Sequence, residues 1–170
     1  LKAIIFTGTD WAKYIPGHET ATKKGIAIAN CPDANSQSVA EYTITLILLM
    51  LRRILELGNT GKETFLTTKS LSEVNIGIVG LGRIGKLVAK MLKSLGAVNL
   101  FYWNRTRKLT IEKEFGIKYL PLPDLFKTCD VITNHLSSQA GQLLTSELLN
   151  NSKDKTIFIN TGAHNTYDLN

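Results

Sequence analysis

Cysteine is scarce in this chain of 170 residues: Cys31 and Cys129 stand far apart, with no metal-ligand spacing. No metal site is therefore expected, and two isolated thiols point to a reduced, cytoplasmic setting. Long apolar runs are also missing. The most apolar stretch, Ile44 to Leu51, is cut off by Arg52 and Arg53, whereas a membrane span needs roughly 20 such residues. There is no low-complexity tract and no basic run interleaved with aromatics. The net charge of +6 is scattered, which argues against nucleic acid as a partner. Lys86, Lys90 and Lys93 follow Arg83 at helical spacing and suit a solvated helix face. An initiating Met is lacking too. The opening LKAIIF reads as a strand rather than a signal peptide, and the chain stops soon after a buried-looking strand. Both ends are expected to lie inside a longer protein.

What is present is an ordinary globular composition, 44% hydrophobic and 20% charged, over about one domain's length. Residues 3–6 (AIIF) predict a short strand ending at Thr7-Gly8-Thr9-Asp10. Pro16 opens a polar helix through Lys24, stopped by Gly25, and GIAIANCP is a second strand closed by Pro32. Residues 1–34 thus form the tail of one domain, and residues 35–170 belong to the next. One long helix is expected over 36–57, capped by Asn35 or by a Ser38–Glu41 box. Being apolar nearly all round, it must be buried in a core or against another chain. Residues 58–72 read as a surface connection.

Beyond that point strands and helices alternate. Strands are predicted at 75–80, 99–103, 117–120, 130–134 and 156–161, with helices most clearly at 83–95, 110–115 and 145–151. In the first of these helices Ile84, Leu87, Val88, Met91, Leu92 and Leu95 make a one-sided stripe, and Gly96 ends it. Such alternation implies an α/β fold with a mostly parallel sheet covered on both faces. Together with the glycine motif at residues 80–85 it leads to the expectation of a Rossmann-type doubly wound sheet with strand order 3-2-1-4-5.

The strongest motif is Gly80-Leu81-Gly82-Arg83-Ile84-Gly85, which follows an apolar strand and opens an amphipathic helix. Gly80 permits the tight turn and Gly82 lets the backbone approach a pyrophosphate. Gly85 lets helix and strand pack closely, while the helix N-terminus offers free N–H groups and positive dipole. About 20 residues further on, NAD sites usually place an Asp or Glu on the ribose hydroxyls. Here the strand ends in Tyr102-Trp103-Asn104-Arg105-Thr106-Arg107-Lys108, with no carboxylate. Arg105 can grip a 2′-phosphate, with Asn104 and Thr106 adding hydrogen bonds, so NADP is the expected cofactor and NAD the alternative.

These residues resemble the D-isomer-specific 2-hydroxyacid dehydrogenases. GIAIANCPDANSQSVAEYT is similar to that family's hinge, VNIGIVGLGRIGKLVAKMLKSLGA to its nucleotide loop, and YWNRTRK to the glyoxylate and hydroxypyruvate reductases within it. The resemblance implies a two-domain homodimer whose interface includes the helix at 36–57, and a flavodoxin-like substrate domain ending in residues 1–34. It implies hydride transfer between a nicotinamide and C2 of a small 2-oxo or 2-hydroxy acid. It also implies cofactor contacts at His135, Leu136, Asn160, Thr161 and Gly162, and substrate contacts through backbone amides around Gly8 and Thr9. The family's catalytic arginine is missing: Asn160-Thr161-Gly162-Ala163-His164 puts Ala163 in its place, and a methyl group cannot bind an anion. His164 beside it reads as an incidental surface histidine. His135-Leu136-Ser137-Ser138 departs from the family's His-x-Pro-Leu-Thr, and the Glu-His pair that handles the proton lies beyond this chain. A catalytically inactive dinucleotide-binding or regulatory relative therefore stands as the alternative to an enzyme.

Overall fold

The computed structural model describes residues 1–8, 11–60 and 66–168. The chain opens with β1 (Ala3–Phe6), the short helices α1 (Trp11–Tyr14) and α2 (His18–Lys23), and β2 (Ala27–Asn30). β1 and β2 form a small parallel sheet in which Ala3 faces Ala27 and Phe6 faces Asn30. The helix expected from Pro16 begins instead at His18, behind Gly17.

The single helix expected over 36–57 is two helices, α3 (Ser36–Leu51) and α4 (Ile54–Thr60). The break falls where the apolar run ends. Arg53 takes a left-handed φ of 50°, and its Nε reaches forward 2.8 Å to Glu56, holding the turn. At the other end Asn35 occupies the cap position. The Ser38–Glu41 box does not form, because Ser38 lies inside the first turn and Glu41 instead accepts a 2.8 Å bond from Gln37. The apolar surface of α3 is also one-sided in practice. Ala40, Thr43, Ile44, Ile47 and Leu51 are buried, whereas Tyr42 and Met50, with Ile54, Leu55 and Leu57 of α4, are exposed. The connection expected over 58–72 is shortened from both sides, since α4 runs to Thr60 and Leu71–Glu73 is a 3₁₀ turn with a Ser70–Glu73 capping box. Residues 61–65 of that connection lie outside the described residues.

The second unit alternates without interruption: β3 (Asn75–Val79), α5 (Arg83–Ser94), β4 (Asn99–Trp103), α6 (Leu109–Phe115), β5 (Lys118–Tyr119), α7 (Leu122–Thr128), β6 (Val131–Asn134), α8 (Ser146–Asn150) and β7 (Ile157–Asn160). Its five strands are all parallel, in the order β5-β4-β3-β6-β7. Counted within the sheet this is the order 3-2-1-4-5 of a Rossmann-type fold. α7 is the helix that patterning does not single out. It is only seven residues long and carries proline at its cap and in its first turn, so it reads locally as a turn.

Strand alternation divides the core between the two faces of the sheet. Ile76, Ile78, Leu100, Tyr102, Val131 and Ile159 join α3 and α5 in one cluster. Val79 and Ile132 join Leu125 and Phe126 of α7, and Cys129 just beyond it, in the other. The central strand β3 therefore ends rigidly supported from both sides, and its carboxyl end is where the glycine loop begins. Among the described residues no helix is long and apolar enough to cross a membrane.

Candidate functional site

The glycine loop leaves β3 at the point where the sheet order reverses, between β4 on one side and β6 on the other. Gly80 has a φ of 92°, and a Cβ there would lie 3.1 Å from the His135 carbonyl carbon and oxygen. Both the left-handed turn and the neighbouring loop demand glycine. Gly85 is needed for another reason: its Cβ would fall 2.2 Å from the Gly80 carbonyl oxygen. Gly82 meets nothing within 4 Å, so the space over it is open to a ligand. The loop thus has the shape of a pyrophosphate cradle at the N-terminus of α5.

Around it lies a cleft of about 580 Å³, within the range of roughly 300–1,000 Å³ usual for ligand sites. Of the residues expected to hold the cofactor, Gly80, Gly82, Arg83, Ile84, Asn104, Arg105, His135, Leu136, Thr161 and Gly162 line it. Gly85, Thr106 and Asn160 do not; Gly85 sits behind the loop and Asn160 supports the floor. Gly8 stands apart from the cleft, close against the Phe6 ring, and Thr9 lies outside the described residues. Sequence reasoning missed Pro32, Ser36, Gln139 and Leu143, which also face the cleft. Pro32 and Ser36 belong to the hinge motif, a signal that could have placed them there.

Two expected cofactor ligands have structural duties. The Asn104 amide oxygen accepts from the Leu81 N–H at 3.2 Å, and its nitrogen donates to the Thr106 carbonyl at 3.0 Å. Asn104 therefore ties the glycine loop to the turn after β4, leaving one N–H of the amide for a ligand. Arg83 bonds Asp33 of the hinge segment across the cleft mouth, with Nε 3.0 Å from the carboxylate. Asp33 also accepts from Ser36 at 3.2 Å.

The floor is a dense polar network. Buried Asn134 donates to Asn160 at 2.9 Å and to Thr166 at 2.8 Å, and accepts from the Leu136 N–H at 3.1 Å. The Asn160 side chain in turn accepts from the Gly162 N–H at 3.1 Å. These bonds lock together the ends of β6 and β7, and with them the loop that carries Ala163. Ala163 lines the cleft and presents only a methyl group there.

His135 is the titratable group most perturbed at this site. Burial pushes it down to about 4, so it is neutral near pH 7. Its Nε2 lies 3.0 Å from the Thr133 hydroxyl and its Nδ1 3.2 Å from that of Thr161. Counting hydroxyl protons fixes the tautomer. Thr43 gives its proton to the Val39 carbonyl at 2.8 Å, so in the 2.9 Å contact with Thr161 it must accept. Thr161 then donates to Thr43 and accepts from Nδ1–H of His135, and Thr133 donates to Nε2. The chain of bonds runs one way from β6 through β7 to α3. A neutral ring with both nitrogens engaged positions the loop and has no spare proton to exchange.

A family model described as D-isomer specific 2-hydroxyacid dehydrogenase, NAD binding domain, matches residues 44–170. The glyoxylate reductase of Aeropyrum pernix is 34% identical over 85% of this chain and 47% of its own length. The D-3-phosphoglycerate dehydrogenase of Pongo abelii is 37% identical over 74% of this chain and 25% of its own. D-lactate dehydrogenase from Aquifex aeolicus, solved with NAD and lactic acid, superposes with a TM-score of 0.79 at 27% identity. It covers 99% of this chain, which covers 52% of that one. The chain thus spans about half the length of the glyoxylate reductases it matches. A cradle at the switch point of a 3-2-1-4-5 sheet and a family match running through it lead to one conclusion: this chain belongs to the D-isomer specific 2-hydroxyacid dehydrogenases and carries their NAD-binding domain.

Proposed function

We propose that this chain is the cofactor-binding part of an oxidoreductase that passes hydride between a nicotinamide, NADP in preference to NAD, and a small 2-oxo or 2-hydroxy acid of the glyoxylate or hydroxypyruvate type. The observation that carries the reading is the pairing of the Gly80–Gly85 cradle with a carboxylate-free turn whose Arg105 faces the same cleft. Arg105 has no hydrogen-bond or ion-pair partner among the described residues, so its guanidinium is available to a 2′-phosphate. The glyoxylate reductases among the relatives support the substrate class. The nicotinamide gives or takes up the hydride; the chain's own part is to bind and orient. The α5 N-terminus and Arg83 hold the pyrophosphate, and the His135–Gly162 floor shapes the nicotinamide end. On this reading residues 1–34 close a substrate domain, backbone amides around Gly8 meet the substrate carboxylate, and the protein is a cytoplasmic homodimer.

Ala163 favours a second reading, a dinucleotide-binding regulator without catalysis. Paired titration with NADPH and NADH, read by quenching of Trp103 at the cleft wall, tests the cofactor half of the proposal, and measurable glyoxylate reduction by residues 1–170 would overturn the regulatory reading. NADPH is expected to bind at least about tenfold tighter, an advantage removed by Arg105→Ala, as fits loss of charged hydrogen bonds. No turnover is expected with Ala163 standing where an anion-binding arginine is needed. Equal affinities would overturn the NADP preference, and failure to bind either cofactor in a folded chain would overturn both readings.

A further inference from the structure

The turn after β4 is pinned at both ends. At its start Asn104 bridges the Leu81 N–H and the Thr106 carbonyl. At its far end the hydroxyl of buried Tyr102 accepts from the Lys108 N–H at 2.7 Å and donates to the Glu112 carboxylate at 2.7 Å. Arg107 completes that end with a two-pronged bond, Nε and Nη2 meeting the two oxygens of Glu112 at 2.8 and 2.9 Å. Its guanidinium lies over the Tyr119 ring, 5.6 Å from the centroid, and Tyr119 packs edge-on against Tyr102 at 5.5 Å. The two donor groups hold the Glu112 carboxyl down at about 2, the bond from Arg107 being the larger cause and that from Tyr102 the next.

The two arginines of this turn therefore have different fates. Arg107 is folded back onto α6 and takes no part in the cleft; Arg105 is exposed, lines the cleft and has no partner among the described residues. We infer that Tyr102, Glu112 and Arg107 form a clamp that sets cofactor specificity from behind, holding the turn at 104–108 in the shape that presents Arg105 to a 2′-phosphate. None of the three lines the cleft, so they are positioning residues. The inference rests on the NADP reading above.

The test measures Kd for NADPH and for NADH on the full chain and on Arg105→Ala, Tyr102→Phe and Glu112→Gln. Tyr102→Phe keeps the buried ring and removes one hydroxyl. It is expected to raise Kd for NADPH about threefold to tenfold, the range of one to two lost hydrogen bonds, and to leave NADH within about twofold. Glu112→Gln discriminates by sign. Removing a negative charge beside the site would by itself tighten NADPH, whereas loss of the clamp weakens it. If Arg105→Ala leaves the NADPH to NADH ratio unchanged, the underlying cofactor reading fails. If Arg105→Ala raises the Kd for NADPH relative to that for NADH but folded Tyr102→Phe does not, or weakens both cofactors equally, the clamp is overturned. A Glu112→Gln chain that binds NADPH more tightly overturns it as well, independently of how Tyr102→Phe folds.

Discussion

At the end of β6, His135 is neutral because burial withholds the water that would solvate its charged form. The sign of its effect on stability follows. Near pH 7 both the native and the unfolded chain hold the ring neutral, and nothing is lost. Below the ordinary imidazole value of 6.5 the unfolded chain takes up a proton that the native state refuses until about pH 4. Stability should fall across that window by up to about 3 kcal/mol. Urea unfolding near pH 7 and pH 4.5 measures it, and His135→Asn should lack that share of the fall. An identical pH dependence in both proteins would sink the assignment. Nitrogen chemical shifts of the ring should show the proton on Nδ1, as the Thr161–Thr43 chain requires. The family resemblance read from the sequence led to the expectation of a cofactor contact at His135. It could not show which way the hydroxyls point, because Thr43 and Thr161 are 118 residues apart.

Among the elements, the glycine loop was the most legible. Its three glycines, the strand before it and the stripe after it all lie within one local segment, so pattern and structure coincide at β3 and α5. The Gly85→Ala substitution should be severe, since the added Cβ would meet backbone oxygen of Gly80 rather than a yielding side chain. A loss of about 1–3 kcal/mol in stability is expected, together with loss of cofactor binding. Thermal unfolding and the fluorescence titration check the two effects, and near-native values in both would refute the close packing assigned to this glycine. The α3–α4 break was less legible. The apolar run stops at Arg52 and Arg53 but apolar residues resume at once with Ile54 and Leu55, and the turn depends on one left-handed residue and its contact with Glu56. α7 was hidden by its prolines, although Leu125 and Phe126 are fully buried against the sheet.

For the whole molecule, the exposed apolar side chains of α4 are the main unsettled surface. Ile54, Leu55 and Leu57 sit together on one short helix, half or more of the first two open to solvent. If the homodimer proposed above uses this face, sedimentation should give a dimer, and a Leu55→Glu, Ile54→Lys pair should yield a folded monomer. A monomeric parent chain would dispose of that proposal. Fold class and the glycine loop were open to reading from the sequence, because they rest on short-range periodicity and on glycines whose neighbours in the chain are also their neighbours in space; the strand order followed from the fold type to which that loop belongs. Tertiary structure alone decided how the remaining groups are used. Asn104 gained a second duty as tie between loop and turn, Arg107 was withdrawn onto Glu112 and Tyr119, and Arg105 was left facing the cleft. Hydrogen-bond partners of a polar side chain are set by which elements the sheet brings together, and no local pattern in the chain encodes that choice.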